Sequence, residues 1–268
     1  MATRAEKAEA FRALHESGTF VIPNPWDAGS ARVLEALGFK ALATSSAGFA
    51  FTMGRLDGDV TFDDACRHIR ALDEATGLPV SADLENGFGG APEDAAAAIR
   101  RAAEAGAVGG SIEDWDPETR SLYVTDHAVE RIAAAAEAAG ALDVPFTLTA
   151  RAEEFFRNRQ DPDLDDAIAR LQAFERAGAD VVYAPALRNA EEIAAVCEAT
   201  EKPVNVLGIA QMGLSVAEIG AAGARRVSVG SLLSLVAVDA FAKAAERIRD
   251  DGDLTALAVN PPIERWLS

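Results

Sequence analysis

Short apolar runs alternate along the chain with longer segments in which apolar and polar residues recur at helical spacing. Eight of these runs have the length of buried strands, namely Thr19–Pro23, Ala41–Ser46, Val80–Glu85, Gly109–Asp114, Phe146–Arg151, Asp180–Pro185, Pro203–Gly208 and Arg226–Gly230. The helical patterns include Ala28–Leu37, Ala91–Ala105, Ala128–Ala139, Asp165–Ala177 and Ala190–Ala199. This alternation predicts parallel βαβ units whose strands are covered on both faces.

Several helical patterns end in a glycine and run into a predicted strand a few residues later. These glycines are Gly38, Gly106, Gly178 and Gly223. Glycine at this position ends a helix in the left-handed conformation. The device recurs along the chain without a linker, so residues 1–268 are predicted to form one (β/α)8 TIM-type barrel domain. An extra helix at about Ala5–Ser17 precedes the first strand. An open doubly wound sheet is the alternative, although no G-x-G-x-x-G follows that strand.

The composition restricts the partners of the protein. The chain has 268 residues and a net charge of −18, which disfavours nucleic acid because a phosphate backbone would be repelled. No apolar run approaches the roughly 20 residues that span a bilayer, and the first residues contain no apolar signal core. Cys66 and Cys197 are far apart in the sequence, so we expect a reduced, cytoplasmic setting without a disulfide scaffold.

Carboxylates follow several predicted strands. Asp83 and Glu85 are two residues apart, so an extended strand would point both to the same side. Other acids at strand ends or in loops are Asp57, Glu113, Asp114 and Glu153. Because the active site of a barrel lies at the carboxyl ends of its strands, these acids converge on one mouth and need a cation. Their oxygen atoms suit Mg²⁺ or Mn²⁺, and the alternative is a salt-bridge network with Arg151.

Other polar side chains also follow the strands. Ser45 and Ser46 either cap the next helix or present their backbone N–H groups to an anion. Asp27 is interpreted as a helix N-cap. Arg151 is a cation that can hold a carboxylate or stabilise an oxyanion. The remaining candidates are Asn24, Trp26, Tyr183, Asn205 and Ser228.

These segments together resemble the isocitrate lyase / phosphoenolpyruvate mutase superfamily over nearly the whole chain. The matching segments are Pro23–Ala28, Thr44–Ala47, Arg55–Asp57, Asp83–Gly89, Ser111–Asp114, Thr149–Glu153 and Arg226–Gly230. The resemblance implies a barrel that binds Mg²⁺ and a 2-oxo acid or its enol form. It also implies a homo-oligomer, a dimer or a tetramer, whose last helices are exchanged between neighbouring subunits.

The resemblance assigns roles to individual residues. It implies that Asp83 ligates the metal and that its water shell is held by Asp57, Glu85 and Glu113. The backbone at Ser45, Ser46 and Ala47 would hold the substrate carboxylate. Arg151 would contact the oxygen that becomes an enolate, or the transferring group. Trp26 and Asn205 are further candidate substrate contacts.

Two departures from the family pattern bear on the reaction. Glu85 replaces the second aspartate of the usual D-x-D motif. The loop at Trp115–Tyr123 lacks the K-[KR]-C-G-H motif of isocitrate and methylisocitrate lyases, and with it the cysteine that donates a proton. The loop is closer to the Lys-Thr-Asn-Ser-Leu version of the mutases, with Arg120 in place of the asparagine. If this loop closes as a lid, Arg120 lies over the pocket and is a second catalytic candidate.

The sequence therefore predicts a Mg²⁺-dependent enzyme that cleaves a C–C bond next to the oxo carbon of a small 2-oxo or 2-hydroxy acid. An oxaloacetate hydrolase, an oxaloacetate decarboxylase or a related lyase fits, with a metal-stabilised enolate as the shared chemistry. Phosphonopyruvate hydrolysis or a phosphonomutase reaction is the first alternative. A barrel that binds 2-oxo acids without turnover is the second. Tyr183 is either an acid or a packing contact.

Overall fold

The computed structural model describes residues 2–267 and confirms the predicted (β/α)8 barrel. Its strands are β1 (Phe20–Ile22), β2 (Leu42–Ala43), β3 (Val80–Asp83), β4 (Gly109–Glu113), β5 (Trp115–Asp116), β6 (Ser121–Leu122), β7 (Thr147–Arg151), β8 (Val181–Tyr183), β9 (Val204–Leu207) and β10 (Arg226–Ser228). Eight of them form one parallel sheet in the order β1-β10-β9-β8-β7-β4-β3-β2, and β5 pairs with β6 in an antiparallel hairpin. The backbone N–H of Ala43 donates to the carbonyl of Pro23 at 3.0 Å, which joins the two ends of the sheet.

Helices surround this sheet and occupy the intervals between its strands. They are α1 (Arg4–Ala13), α2 (Ala28–Ala36), α3 (Ser46–Thr52), α4 (Phe62–Ala75), α5 (Pro92–Glu104), α6 (Thr125–Gly140), α7 (Glu154–Arg157), α8 (Leu164–Arg176), α9 (Ala190–Ala199), α10 (Val216–Ala221), α11 (Leu232–Asp251) and α12 (Ile263–Leu267). Within residues 2–267, no helix combines the length and the apolar character that crossing a membrane requires.

The predicted helix terminators are confirmed. Gly38, Gly106, Gly178 and Gly223 have φ values of +91°, +112°, +106° and +111°, in the region that favours glycine. The predicted N-cap is also confirmed, because the Asp27 carboxylate accepts from the backbone N–H of Ser30 at 2.7 Å. The eight sheet strands are shorter than predicted, and in β2, β3 and β4 the polar last residues leave the sheet and enter the loops. The short hairpin of β5 and β6 was not predicted.

Helix α1 covers the amino ends of the strands. Phe11 is fully buried there, in an apolar cluster with Ile22, Ala41 and Val108. A Cβ atom at Gly109, the first residue of β4, would lie 2.6 Å from the Phe11 ring. The glycine therefore leaves the space that this ring occupies, and the predicted extra N-terminal helix serves as the lower cover of the barrel.

The buried ring of His15 follows α1. Its Nδ1 lies 2.9 Å from the carbonyl oxygen of Phe11, and its edges meet the rings of Phe11 and Phe20 at centroid distances of 4.8 and 5.0 Å. Burial, together with the nearby Arg226 guanidinium, lowers the pKa of His15 to about 3. The ring is therefore neutral in the folded protein, with its proton on Nδ1.

The C-terminal helix α11 has a different character. Of its 20 residues only Ser234 is buried, although several of the others are large and apolar. The exposed fractions of Leu235, Val236 and Phe241 are 51%, 67% and 74%. An apolar face of this size on a long helix is typical of a surface that packs against another chain.

The state of His15 predicts a loss of stability in acid. The unfolded chain binds a proton near pH 6.5 and the folded chain only near pH 3, so the contribution of His15 is complete above pH 6.5. It falls as the pH is lowered from 6.5 toward 3, by up to about 1.4 kcal/mol per pH unit. We expect His15→Gln to flatten this part of the curve of urea midpoint against pH. The control is His127→Gln, at a half-exposed ring on α6; an equal slope in both variants would contradict the assignment.

Candidate active site

A cleft of about 990 Å³ opens at the carboxyl ends of the parallel strands. Nine of the eleven residues predicted for the site line it: Ser45, Ser46, Ala47, Asp57, Asp83, Glu85, Glu113, Arg120 and Arg151. Six of them were predicted from their position at strand ends, Asp57 from a loop, and Ala47 and Arg120 from the family resemblance; the fold brings all nine together. Their individual roles stay predictions.

Asp83 ends β3 at the floor of the cleft. Its backbone N–H donates to the hydroxyl of Thr44 at 2.7 Å, and its carboxylate accepts from the backbone N–H of Ser46 at 3.1 Å. The Arg151 Nη1 atom lies 3.7 Å from Asp83 Oδ1. These contacts fix the carboxylate while leaving lone pairs that face the cleft.

Glu85 lies beside Asp83, but not in the predicted way. β3 ends at Asp83, and Glu85 adopts a left-handed φ of +49°, so the two side chains do not share one face of a strand. Gly87 continues this tight turn with φ +87°, where a Cβ atom would lie 3.0 Å from the Cα of Ala95. Because of this turn, and not because of strand alternation, Glu85 lines the same cleft as Asp83.

The Glu85 carboxylate has no hydrogen-bond or ion-pair partner within residues 2–267. Burial raises its pKa to about 8, and the charges of Asp83 and Asp57 add to the shift. The ionised form of the Glu85 carboxylate is therefore poorly stabilised by the positive charges around it. This feature fits a cation between Glu85 and Asp83.

Arg151 lies at the end of β7 among three carboxylates. Its Nε donates to the fully buried Glu153, and its Nη1 lies 3.4 Å from Glu113 and 3.7 Å from Asp83. Although burial opposes the shift, Glu153 and Glu113 raise the pKa of Arg151. Burial, followed by the charge of Glu153, also raises the pKa of Glu113. The guanidinium is therefore held rigidly, and the predicted salt-bridge network is present.

The sequence reasoning missed a second cation in this network. Arg157 of α7 donates to Glu153 at 2.9 Å and to Glu113 at 3.1 Å, and its guanidinium lies 4.4 Å from the ring of Trp115. A signal was available, because Glu153 and Arg157 have the i, i+4 spacing of a helical ion pair. The backbone N–H of Glu153 also donates to Asp114 at 2.8 Å, so the buried carboxylate is anchored from both sides.

Two predicted substrate contacts do not line the cleft. Trp26 lies in the turn before α2, where its backbone N–H donates to the Ser30 hydroxyl at 3.0 Å. Asn205 is 1% exposed and lies deeper in the barrel, with its amide bonded to Arg226 and Ser228. Neither side chain lines the cleft, and their roles as substrate contacts stay predictions. An end-of-strand position does not distinguish a side chain in the cleft from one in the layer below it.

The loops around the cleft place the other predicted residues. The Ser45 hydroxyl accepts from the backbone N–H of Gly48 at 3.3 Å, so the capping interpretation of Ser45 is confirmed. Arg120 lies at the tip of the β5–β6 hairpin with a left-handed φ of +55° and faces the cleft. Within residues 2–267, Arg120 forms no ion pair. Cys66 and Cys197 are free thiols, as predicted.

The acidic side of the cleft fits Mg²⁺ better than a metal with a full set of protein ligands. Within residues 2–267, no three Asp, Glu, His or Cys side chains are arranged to hold one ion by themselves. Mg²⁺ commonly takes one or two carboxylates and completes its shell with water and substrate. Asp83 with the partnerless Glu85 provides such a partial set.

Comparison with known proteins gives a consistent family. The family model for phosphoenolpyruvate phosphomutase matches residues 11–249. Uncharacterized protein Rv1998c of Mycobacterium tuberculosis (strain ATCC 25618 / H37Rv) is 31% identical over 246 residues, 91% of each chain. The 2-methylisocitrate lyase of Halalkalibacterium halodurans is 29% identical over 263 residues, covering 93% of this chain and 84% of the relative. The oxaloacetate decarboxylase of Bradyrhizobium sp. (strain ORS 278) is 29% identical over 236 residues, covering 83% and 77%.

Solved structures agree with this result. The crystal structure of a "putative lyase/mutase" from Burkholderia cenocepacia J2315 superposes with a TM-score of 0.94 at 55% identity, covering 99% of this chain and 96% of the other. Phosphonopyruvate hydrolase in complex with oxalate and Mg²⁺ superposes with a TM-score of 0.85 at 25% identity, covering 97% and 93%. Thus the relatives include lyases, a decarboxylase and a phosphonate hydrolase.

The buried network predicts a large effect of a small change. Glu153→Gln removes the charge that Arg151 and Arg157 share, and breaking a buried ion pair costs about 3–5 kcal/mol of unfolding free energy. Urea unfolding measures the loss. The control is Glu9→Gln, in an exposed pair with Arg12, for which we expect little or no change. Equal midpoints for the two variants would show that charge in this network does not hold the site.

Proposed function

The chain belongs to the phosphoenolpyruvate phosphomutase family, and from this premise we propose that it is a Mg²⁺-dependent enzyme that cleaves a C–C bond. The bond lies one carbon from the oxo group of a small 2-oxo or 2-hydroxy acid, on the carbon that becomes the enolate carbon. One observation carries the proposal: a rigid guanidinium, Arg151, lies 3.7 Å from Asp83 at the floor of one cleft, and the neighbouring buried Glu85 has no ion-pair partner among the described residues. That arrangement suits a reaction in which negative charge develops on an oxygen atom.

The acidic side of the cleft supplies the metal site in this proposal. Asp83 holds Mg²⁺ directly, and Asp57, Glu85 and Glu113 hold its water shell. When bound, Mg²⁺ acts as a Lewis acid toward the oxygen atoms of the substrate. Glu85 is then ionised, because a cation favours its charged form and offsets the effect of burial.

Arg151 stabilises the developing oxyanion. Breaking the C–C bond leaves its electron pair on the carbon next to the oxo group, and the charge passes to the oxo oxygen. Arg151 is positioned before the reaction by Glu153 and Glu113, so it loses little freedom as the charge develops. The backbone at Ser45, Ser46 and Ala47 orients the substrate carboxylate at the start of α3, and Arg120 approaches from the hairpin.

The test is turnover of a panel of acids with and without Mg²⁺. Oxaloacetate, 2-methylisocitrate, isocitrate and phosphonopyruvate are incubated with the protein, and their products are followed by NMR. We expect Mg²⁺-dependent C–C cleavage of one member. Asp83→Ala should lower kcat/KM by roughly 100-fold or more and weaken Mg²⁺ binding in calorimetry.

The control for that variant is Asp165→Ala, at an exposed acid of α8, which should behave as the parent protein. Phosphate release from phosphonopyruvate alone would replace C–C cleavage by P–C cleavage. Binding of 2-oxo acids without any turnover would instead support a non-catalytic role. Intact Mg²⁺ binding and activity in Asp83→Ala would contradict the assignment of the metal site.

We also propose that α11 packs against a second copy of the chain in a homo-oligomer, a dimer or a tetramer. Its large apolar side chains are exposed, and Leu232 and Leu235 at its start line the cleft. Burying such a face on a neighbouring subunit removes apolar area from water, at about 25 cal/mol per Å².

This assembly predicts a change of mass on substitution. The double variant Val236→Asp, Phe241→Asp places charges on the apolar face and should shift the protein to a smaller species in analytical ultracentrifugation. Val124→Asp, at a residue with the same 74% exposure as Phe241 but before α6, is the matched control and should leave the mass unchanged. A parent protein that is already monomeric would contradict the proposal.

A further inference from the structure

A second, smaller cavity lies inside the barrel below the cleft. Its volume is about 70 Å³, enough for water, and its lining is unusually polar for the interior of a barrel. The polar residues around it are Asn24, Thr44, Ser45, Ser81, Asp83, Ser111, Arg151, Tyr183, Asn205, Arg226 and Ser228. Of these, Ser45, Asp83, Arg151 and Tyr183 line both spaces, so they lie at the boundary between cavity and cleft.

Arg226 is the buried cation at the bottom of this cavity. It is 5% exposed, and its contacts are neutral: Nε donates to Asn205 at 2.8 Å, Nη2 to Thr149 at 2.9 Å, and Nη1 lies 3.4 Å from His15. Burial lowers its pKa to about 10, so the guanidinium is charged at neutral pH. Because an arginine can only donate, it fixes the donor and the acceptor in the hydrogen bonds that lead from it toward the cleft.

The donors of these hydrogen bonds point from Arg226 toward the cleft. The Asn205 oxygen accepts from Arg226, so the amide nitrogen of Asn205 must be the donor to Ser228, at 3.0 Å. The Ser228 hydroxyl accepts that bond and keeps its own hydrogen; it also lowers the pKa of Tyr183, which is the effect of a donor facing the phenol oxygen. The Tyr183 oxygen is then the acceptor, and its own hydrogen is free to point toward the cleft.

The position of Tyr183 matches a specific need of the proposed reaction. Tyr183 pairs in register with Arg151 on β7 and with Asn205 on β9, and the Arg151 guanidinium lies 5.5 Å from its ring centroid. The carbon left with the electron pair is bonded to the oxo carbon. Its proton donor must therefore lie beside the group that holds the oxo oxygen. Among the described residues that line the cleft there is no Cys, His or Lys.

We propose that Tyr183 donates the proton to this carbon, and that Arg226, Asn205 and Ser228 position its hydroxyl. The inference rests on the proposed function. In the step, the Oη–H bond of Tyr183 breaks, its proton forms the new C–H bond with the electron pair of the cleaved bond, and the negative charge moves from the enolate to the phenol oxygen. A proton from solvent water then restores the hydroxyl.

The surroundings of Tyr183 support this role. Burial raises its pKa to about 12, against the opposing effects of Arg151 and Ser228, while Glu153 and Asp83 add to the rise. The hydroxyl is therefore protonated at neutral pH and can serve as an acid. After transfer, Arg151 and the Ser228 hydroxyl are in place to stabilise the phenolate.

The test isolates proton transfer from bond cleavage. Enolpyruvate, released from phosphoenolpyruvate by a phosphatase, converts to pyruvate in the presence of the protein and Mg²⁺, and ultraviolet absorbance follows its decay. We expect the parent protein to accelerate the decay and Tyr183→Phe to lose roughly 100-fold or more of this acceleration. Binding of oxalate with Mg²⁺, measured by calorimetry, should be unchanged. Tyr123→Phe, at the other tyrosine of the chain, is the matched control and should behave as the parent.

The outcomes separate the two proposals. Full acceleration by a folded Tyr183→Phe variant would overturn the role of Tyr183 while leaving the proposed function in place. A parent protein that neither binds oxalate with Mg²⁺ nor accelerates the decay would overturn both. If Tyr183→Phe does not fold, fluorotyrosine can replace Tyr183 in the Tyr123→Phe background, where it is the remaining tyrosine. Fluorination lowers the pKa of the phenol, so the loss of rate at alkaline pH should begin at a lower pH. An unchanged alkaline limb of the pH–rate profile would overturn the role.

Asn205→Asp tests the positioning chain. A carboxylate accepts from both Arg226 and Ser228, so the Ser228 hydrogen turns away from Tyr183 while Arg226 gains a charged partner. We expect the urea midpoint to be maintained and the acceleration to fall by about 10-fold or more. A purely structural role for Asn205 predicts that rate and stability change together. A stable variant with the full rate would overturn the chain.

Discussion

The site depends on the charge balance around Glu153. This carboxylate is fully buried, and it is tolerated because two guanidiniums share it, Arg151 from β7 and Arg157 from α7. The same arrangement holds Arg151 at the floor of the cleft, 3.4 Å from Glu113. Positive charge on this side leaves the pair of Asp83 and Glu85 as the region where a cation would be attracted. The geometry of the cleft is thus a consequence of one buried pairing.

The cleft consequently has two chemically distinct walls. The acidic wall, from β3 and its loop, carries carboxylates whose charge invites a metal. The opposite wall, from β8 to β10, carries Tyr183, and the layer below it holds the neutral groups of Asn205 and Ser228, to which Arg226 gives a direction. Arg151 lies between them. An enzyme of the proposed type needs electrostatic stabilisation on one side of an enolate and a proton on the other, and the barrel supplies both from neighbouring strands.

Much of this architecture followed from the sequence, for physical reasons. Alternating apolar runs and left-handed glycines such as Gly106 are local signals, and they located all eight strands of the barrel. Strand ends must converge in a closed barrel, so six residues that line the cleft were grouped without any knowledge of distance, whereas Ala47 and Arg120 came from the family resemblance. The sequence did not predict how deep a side chain lies in the barrel or which backbone conformation a loop residue adopts. Asn205 lies one layer too low for the cleft, and Glu85 reaches it through a left-handed turn that alternation does not encode. Arg157 was missed although its i, i+4 spacing from Glu153 is a local signal, while its contact with Glu113 is a tertiary one that spacing does not encode.

The hairpin over the cleft has a consequence for entropy. A lid that is disordered when open must give up backbone freedom on closing, at roughly 1–2 kcal/mol per residue. Here β5 and β6 are already paired, Trp115 with Leu122 and Asp116 with Ser121, and the Asp116 carboxylate accepts from Thr119 at 2.7 Å. If the hairpin closes over the cleft, it moves as a preformed unit about its ends, so binding energy that would otherwise order a loop remains for holding the substrate.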